Sequence, residues 1–562
     1  MSSVLRPKHV RTICQLLAVV WVSVWPVSSA RAGAQTDHAP ALVVWITIDQ
    51  LRGDMPMRYL PRGSAGGFRY LEEHGVYYTN AHFQHANTFT AVGHAALFTG
   101  AHVAQHGIVG NDWYDAATRR SVDSVQDERY PLLDGGSSPK EGASPMNLTS
   151  STIADELVLA SAGRSRVFSI SGKDRGAILP AGHLGKAFWY SKDTGGFVTS
   201  TYYYKEYPSW VARWNTAKPA ERYRSQVWML KDDQAGYIHR GQDDRPCERG
   251  YKYLGRTFPH AMATEKTSDF MSALTCTPFA DELIEQFVEE LIGQEKLGKG
   301  SSTDMLAVSF SATDQVGHMW GPESLEAEDN VRRLDALLAR LFKHVDQVVG
   351  LDQTLIVLSA DHGMDEVPEC ASAMGFAAGR HHPEEFMRTV NDALKARFKT
   401  DRALVAAFWN PSLYLDLEAV ADLGLGVSTV ELAAAEEILK IRGFAFAVTR
   451  TDLLAGRVPD DPLGHRLQFS FHPTRSGNVL IVPAQFWYLY PEPEKCAAMH
   501  GSPYAYDTYV PVLLAGPGIR PQTIDRAVAP EDIARTVAIW LRIKPPSGCT
   551  GGVLIEALAA NR

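Results

Sequence analysis

Three apolar, β-branched runs constrain the fold of this chain more than any other feature of its 562 residues. Residues 41–48 are almost unbroken in apolar character and end at Asp49; Asp304–Phe310 leads to Asp314, and Thr354–Ser359 leads to Asp361 and His362. Runs of this kind suit strands buried on both faces of a parallel sheet, because helices cover both sides. Between the second and third, Val331, Leu334, Leu337, Leu338, Leu341, Phe342 and Val345 recur at helical spacing, which predicts an amphipathic crossover helix. The expected fold class is therefore α/β, a doubly wound and mostly parallel sheet. Each run delivers a carboxylate to the carboxyl end of a strand, where open α/β sheets bind ligands.

Further elements continue the pattern. Helices are expected over 383–398, 429–441 and 530–541, and strands over 404–408, 412–415, 478–482 and 509–514. Residues 183–275 read differently, being rich in aromatic residues such as Tyr202, Tyr203, Tyr204, Trp210, Trp214 and Trp228. They predict an inserted cap whose rings pack an irregular subdomain rather than stack on a substrate. Residues 115–145 read as a surface excursion, and no internal repeat is evident.

At the N-terminus Arg6, Lys8 and Arg11 precede an apolar run over 13–27 and small residues over 30–34. This is the order of a signal peptide over residues 1–32, cleaved after Ala32 or Ala34. The run is short for a membrane span and is broken by Pro26. Residues 35–562 are then the α/β domain, and stable membrane insertion is not expected. Loss of four basic residues and no acidic ones moves the formal charge from −9 to −13. Such a chain is a poor nucleic-acid binder, so an anionic substrate would depend on metals or local cations. Cys14 leaves with the leader, and Cys247, Cys276, Cys370, Cys496 and Cys549 remain. An oxidising compartment permits one or two disulfides, and the odd count leaves at least one thiol outside them. No CxxC pair exists among them to build a cysteine zinc site.

Within residues 85–100 a polar half gives way to a short apolar, helix-compatible run ending at Gly100, so Thr90 reads as standing where a loop enters a helix. An anion is favoured there by unpaired N–H groups and the helix dipole. A hydroxyl in that place becomes a nucleophile if a metal holds it deprotonated; alone it is a helix cap. Asp314 and His318 are four apart, on one face of a helical turn, and Asp361 and His362 are adjacent at a strand end. Taken singly, Asp49 or Asp361 caps a helix and His318 is a surface histidine. Together with a late histidine they are the N and O ligands that a zinc pair requires. His82, His85, His94, His102, His106, His381 and His382 read as supporting or ordinary residues.

These motifs, with Thr99-Gly100, Asp314-Gln315-Val316-Gly317-His318, Ala360-Asp361-His362-Gly363-Met364 and His500-Gly501-Ser502, resemble the metal and nucleophile motifs of the alkaline phosphatase superfamily in order and span. Residues 171–177 and Gly110-Asn111-Asp112 are similar to those of the bacterial phosphate-irrepressible alkaline phosphatases, which use a threonine nucleophile and are related to type I phosphodiesterase/nucleotide pyrophosphatases. The resemblance implies two Zn2+ per chain, one held by Asp49, Asp361 and His362 facing Thr90, the other by Asp314, His318 and His500. It also implies a phosphothreonine intermediate on Thr90, with Thr88 the rival nucleophile. Lys173, Arg175, Asn111 and the N–H after Thr90 would donate to the phosphoryl oxygens, which favours the monoester dianion over a diester. No third site for magnesium is evident. The expectation is an exported, periplasmic or secreted, monomeric phosphomonoesterase of broad specificity acting on small esters. Its rivals are a phosphodiesterase/nucleotide pyrophosphatase with the same metals and a non-catalytic zinc-binding protein. A sulfatase is disfavoured, since no Cys-x-Pro-x-Arg or Ser-x-Pro-x-Arg is present.

Overall fold

The computed structural model describes residues 39–561 except 61–63, 134–140, 263–265 and 491–494, so the expected signal peptide lies outside the described residues. The main-sheet strands are β1 (Leu42–Ile48), β2 (Gly75–His82), β3 (Val167–Ser171), β4 (Lys186–Tyr190), β5 (Phe197–Val198), β6 (Asp304–Phe310) and β7 (Thr354–Ser359). A second, four-stranded sheet follows with β8 (Val405–Trp409), β9 (Ser412–Leu415), β10 (Phe444–Thr449) and β11 (Val479–Pro483), before β12 (Tyr509–Ala515) and β13 (Gln522–Ile524) return to the first.

The nine-stranded order is β13-β2-β12-β7-β1-β6-β3-β4-β5. The three apolar runs are its centre: β1 lies between β7 and β6, parallel to both, with Thr47 opposite Ser309 and Ser359. Every residue of these three strands is buried, which is why each is written as a continuous apolar run. β6–β3 and β3–β4 extend the parallel set. β12 departs from it by pairing antiparallel with β7 and β2. The predicted crossover helix spans Leu325–Val348, with Leu334, Leu338, Leu341 and Val345 buried.

Residues 183–275, read as an inserted cap, include β4 and β5 of the main sheet. The aromatic β4, Lys-Ala-Phe-Trp-Tyr, pairs with β3 near the edge of the sheet, and its Phe188 packs on Phe287 of the Phe279–Gln294 helix. Beyond β5 the aromatics are structural, as expected: Trp210 and Trp214 close on Phe287, and Trp228 Nε1 donates to Asp329 Oδ2 at 2.7 Å. The excursion over 115–145 contributes to two small antiparallel ladders. Of the strands expected from 383 onward, those over 404–408, 412–415 and 478–482 lie in the second sheet and that over 509–514 is β12 of the first; the second sheet and its helices share an apolar core that includes Val390, Leu394, Leu413, Val430 and Val479. This sheet reaches the small ladder of residues 112–115 and 120–123 through Trp409 Nε1, which donates to Asp112 Oδ2 at 2.6 Å, next to Asn111.

Candidate active site

The carboxyl ends of the central strands converge. Asp49 follows β1 directly, and Asp361-His362 follow β7 after Ala360 alone. Past β6 the Ala312–Trp320 helix starts at once, with Asp314 in its first turn and His318 one turn on. Thr90 is the first residue of the Thr90–Thr99 helix, which ends on Gly100 in the left-handed region. The start of this helix meets the Asp361 loop at Gly93, where an added Cβ would lie 2.0 Å from the Asp361 carbonyl oxygen. His500 arrives from the loop before β12.

The ligating atoms of Asp314, His318 and His500 lie within 4.8 Å of one another, as do those of Asp49, Asp314 and His362. Asp361, expected beside Asp49 and His362, stands just outside these tight groups, its Oδ2 3.7 Å from His362 Nε2. The cause is local: Asp361 Oδ1 accepts from Gln50 N at 3.0 Å and Oδ2 is 3.1 Å from His94 Nδ1. Thr90 Oγ1 is 3.5 Å from His362 Nε2, whereas the Thr88 hydroxyl donates to Ser502 O at 2.9 Å.

The donor set fits divalent cations. His318, His362 and His500 each place Nδ1 2.8–2.9 Å from a backbone carbonyl, of Ala498, Gly363 and Thr88 respectively. A carbonyl only accepts, so each Nδ1 carries a proton, which leaves Nε2 as the ring atom able to ligate a metal. Asp49 Oδ1 is buried without a hydrogen-bond donor. Burial, then the charges of Asp314 and Asp361, push Asp49 well above the usual carboxylate range. Bound cations would relieve that repulsion, and mixed imidazole and carboxylate ligation suits zinc.

Lys173 Nζ sits among these acids, 2.6 Å from both Asp49 Oδ2 and Asp314 Oδ2. Arg175 is loosely held, 3.6 Å from Asp174, with a buried Nε lacking a partner. Asn111 differs from expectation in one respect. Its Oδ1 accepts from Ala91 N at 2.9 Å, so the N–H after Thr90 is already engaged.

Sequence reasoning missed Gln50. Its backbone is in the left-handed region, and its Nε2 donates to Asp314 O at 3.0 Å while its N–H holds Asp361. Nothing but its place after Asp49 marks it in the sequence. Of the additional histidines, His94 touches a candidate ligand, Asp361, and its Nε2 meets Ser309 Oγ at 2.9 Å. His82, His85 and His381 are engaged elsewhere, with Thr508, Glu531 and the Arg442 carbonyl.

The type I phosphodiesterase / nucleotide pyrophosphatase family matches residues 43–503, a span holding every candidate ligand together with Thr90, Asn111, Lys173 and Arg175. The chain belongs to that family. Within the type I phosphodiesterase/nucleotide pyrophosphatases it is similar to alkaline phosphatase PhoV of Synechococcus elongatus, 32% identical over 98% of this chain and 100% of PhoV. Alkaline phosphatase PafA of Elizabethkingia meningoseptica is 33% identical over 95% of this chain and 97% of PafA. A crystal structure of wild-type PafA matches with a TM-score of 0.84, covering 92% of this chain and 99% of that one. The family therefore lies, for this member, on the alkaline phosphatase side of its superfamily, and the fold is the expected α/β one.

Proposed function

We propose that this chain is an exported, two-zinc alkaline phosphatase that hydrolyses phosphate monoesters of varied structure through a phosphothreonine on Thr90. The chain is a phosphoric monoester hydrolase by its likeness to PhoV and PafA along nearly its whole length. The finer reading is carried by one observation: Lys173, on the loop after β3, reaches the Asp49 and Asp314 carboxylates at 2.6 Å.

In this reading Asp49, Asp361 and His362 would hold one ion, and Asp314, His318 and His500 the other. When bound, such a pair supplies positive charge that favours deprotonated oxygen and offsets charge on the attacking and leaving oxygens. Gln50 and His94 keep Asp361 and Asp314 in register. Thr90 Oγ1 attacks phosphorus as the ester P–O bond breaks and the alcohol departs; water then displaces phosphate from Thr90. Arg175, the Asn111 amide and Lys173, once drawn off the carboxylates, donate to the non-bridging oxygens. A monoester offers three such oxygens and a diester two, so these donors favour the monoester. The chain would act as a monomer on small esters. The Cys247–Cys370 disulfide supports export to the periplasm or beyond, since such bonds persist in oxidising compartments.

The test compares kcat/KM on p-nitrophenyl phosphate and bis-p-nitrophenyl phosphate. Lys173→Ala/Arg175→Ala is expected to lower monoester turnover by roughly 10²–10⁴-fold and diester turnover far less. Diester preference in the unsubstituted protein would favour the phosphodiesterase alternative. Zinc binding without turnover of either ester would favour a non-catalytic protein.

A further inference from the structure

Parallel strands deliver their carboxyl ends to one rim. β1 delivers Asp49, β6 Ser311 and Asp314, and β3 Lys173; the next parallel strand, β4, ends at Tyr190, two residues before Lys192. With Ser171 opposite Trp189, Lys192 stands one strand beyond Lys173 on that rim. Strands in a sheet are about 4.8 Å apart, so Lys192 starts about 10 Å from the strand that leads to Asp314. That offset suits a group attached to the phosphate rather than the phosphate itself.

The surroundings of Lys192 support a ligand role. Lys192 and Lys173 line one cleft with Tyr190, Leu274, Ile284 and Gln315, and no carboxylate lines it. Lys173 is tied to two carboxylates. Lys192 is exposed, and among the described residues it has no hydrogen bond or ion pair. A free cation over a cleft without carboxylates, beside the reacting centre, attracts an anion.

We propose that Lys192 is a specificity-determining residue, selecting phosphate monoesters whose leaving group carries a second anionic group, a carboxylate or a further phosphate. The inference rests on the monoesterase reading above and names a substrate class for it.

The test uses the zinc-loaded protein and three matched esters: 2-hydroxyethyl phosphate, carboxymethyl phosphate and ethylene glycol bisphosphate. For each, kcat/KM is measured at low and high salt. Lys192→Ala is expected to lower the charged-to-neutral ratio of kcat/KM by about tenfold, through KM, with the difference shrinking at high salt. Lys192→Arg is expected to restore the ratio. If only one charged ester loses its advantage, that ester identifies the second anion. A ratio unchanged in Lys192→Ala, with 2-hydroxyethyl phosphate still turned over, overturns the role of Lys192 alone. Turnover of none of the three by the unsubstituted protein overturns the monoesterase reading beneath it.

Discussion

Gly93 lets the start of the Thr90–Thr99 helix sit against the Asp361 loop, and a methyl group there would stand 2.0 Å from a carbonyl oxygen. Gly93→Ala is therefore expected to cost about 1–3 kcal/mol and to weaken metal retention, read by urea unfolding and by chelator competition. Glu323 makes a prediction about acid stability. Burial alone would raise it, but the hydrogen bond from Arg58 and the charge of Arg52 hold it down at about 2. Its folded value lies below the unfolded one, so its stabilisation is complete above the ordinary glutamate range and is lost as pH falls toward 2. Glu323→Gln should lower the Tm at pH 7, and the gap to the unsubstituted protein should narrow steadily as the pH is lowered below about 4.5. At this scale, the sequence made Asp49, Asp314, His318, Asp361 and His362 legible because strand ends and helical spacing mark them. His500 had no spacing to mark it and came from resemblance. Gln50, and the engagement of Ala91 N by Asn111, depend on contacts between distant segments and left no local signal.

Elements differ in how plainly they are written. Strands β1, β6 and β7 and the long crossover helix were readable because burial of both faces, or of one stripe, imposes a period on the residues. The place of β4 in the main sheet was not, since this strand is aromatic and near the edge of the sheet and so resembles the packing that follows it. Three strands of the second sheet were read, as separate runs of four or five residues too short to declare which sheet they join, and β10 was not foreseen. The disulfide, too, was open in sequence and is Cys247–Cys370. It fastens the region beyond β5 to the short Pro368–Ala373 helix that follows the His362 loop, beside a buried cluster of Met364, Val367, Ala497 and Ala498. Ala497 N in turn donates to His318 O at 2.7 Å. Cys247→Ser/Cys370→Ser should cost about 2–5 kcal/mol and speed the loss of metal to a chelator, measured by thermal unfolding and by timed zinc release.

At the scale of the molecule, one central set of parallel strands brings two clusters of candidate ligands, a threonine at a helix start and two cations to one rim. The sheet order explains this: β7, β1, β6 and β3 are neighbours, so their carboxyl ends are neighbours as well. The acidic net charge leaves local cations such as Lys173, Arg175 and Lys192, and any bound metals, to attract an anionic ester. Among the described residues no helix is long and apolar enough to cross a membrane. In the proposed reaction Thr90 carries the phosphoryl group during turnover. Acid quenching of the zinc-loaded protein mixed with a ³²P-labelled monoester, followed by peptide mapping, tests it most directly. Label is expected on Thr90 and none in Thr90→Ala, which should also lose most turnover. Full turnover by Thr90→Ala, or steady-state hydrolysis with label on another residue, would contradict it.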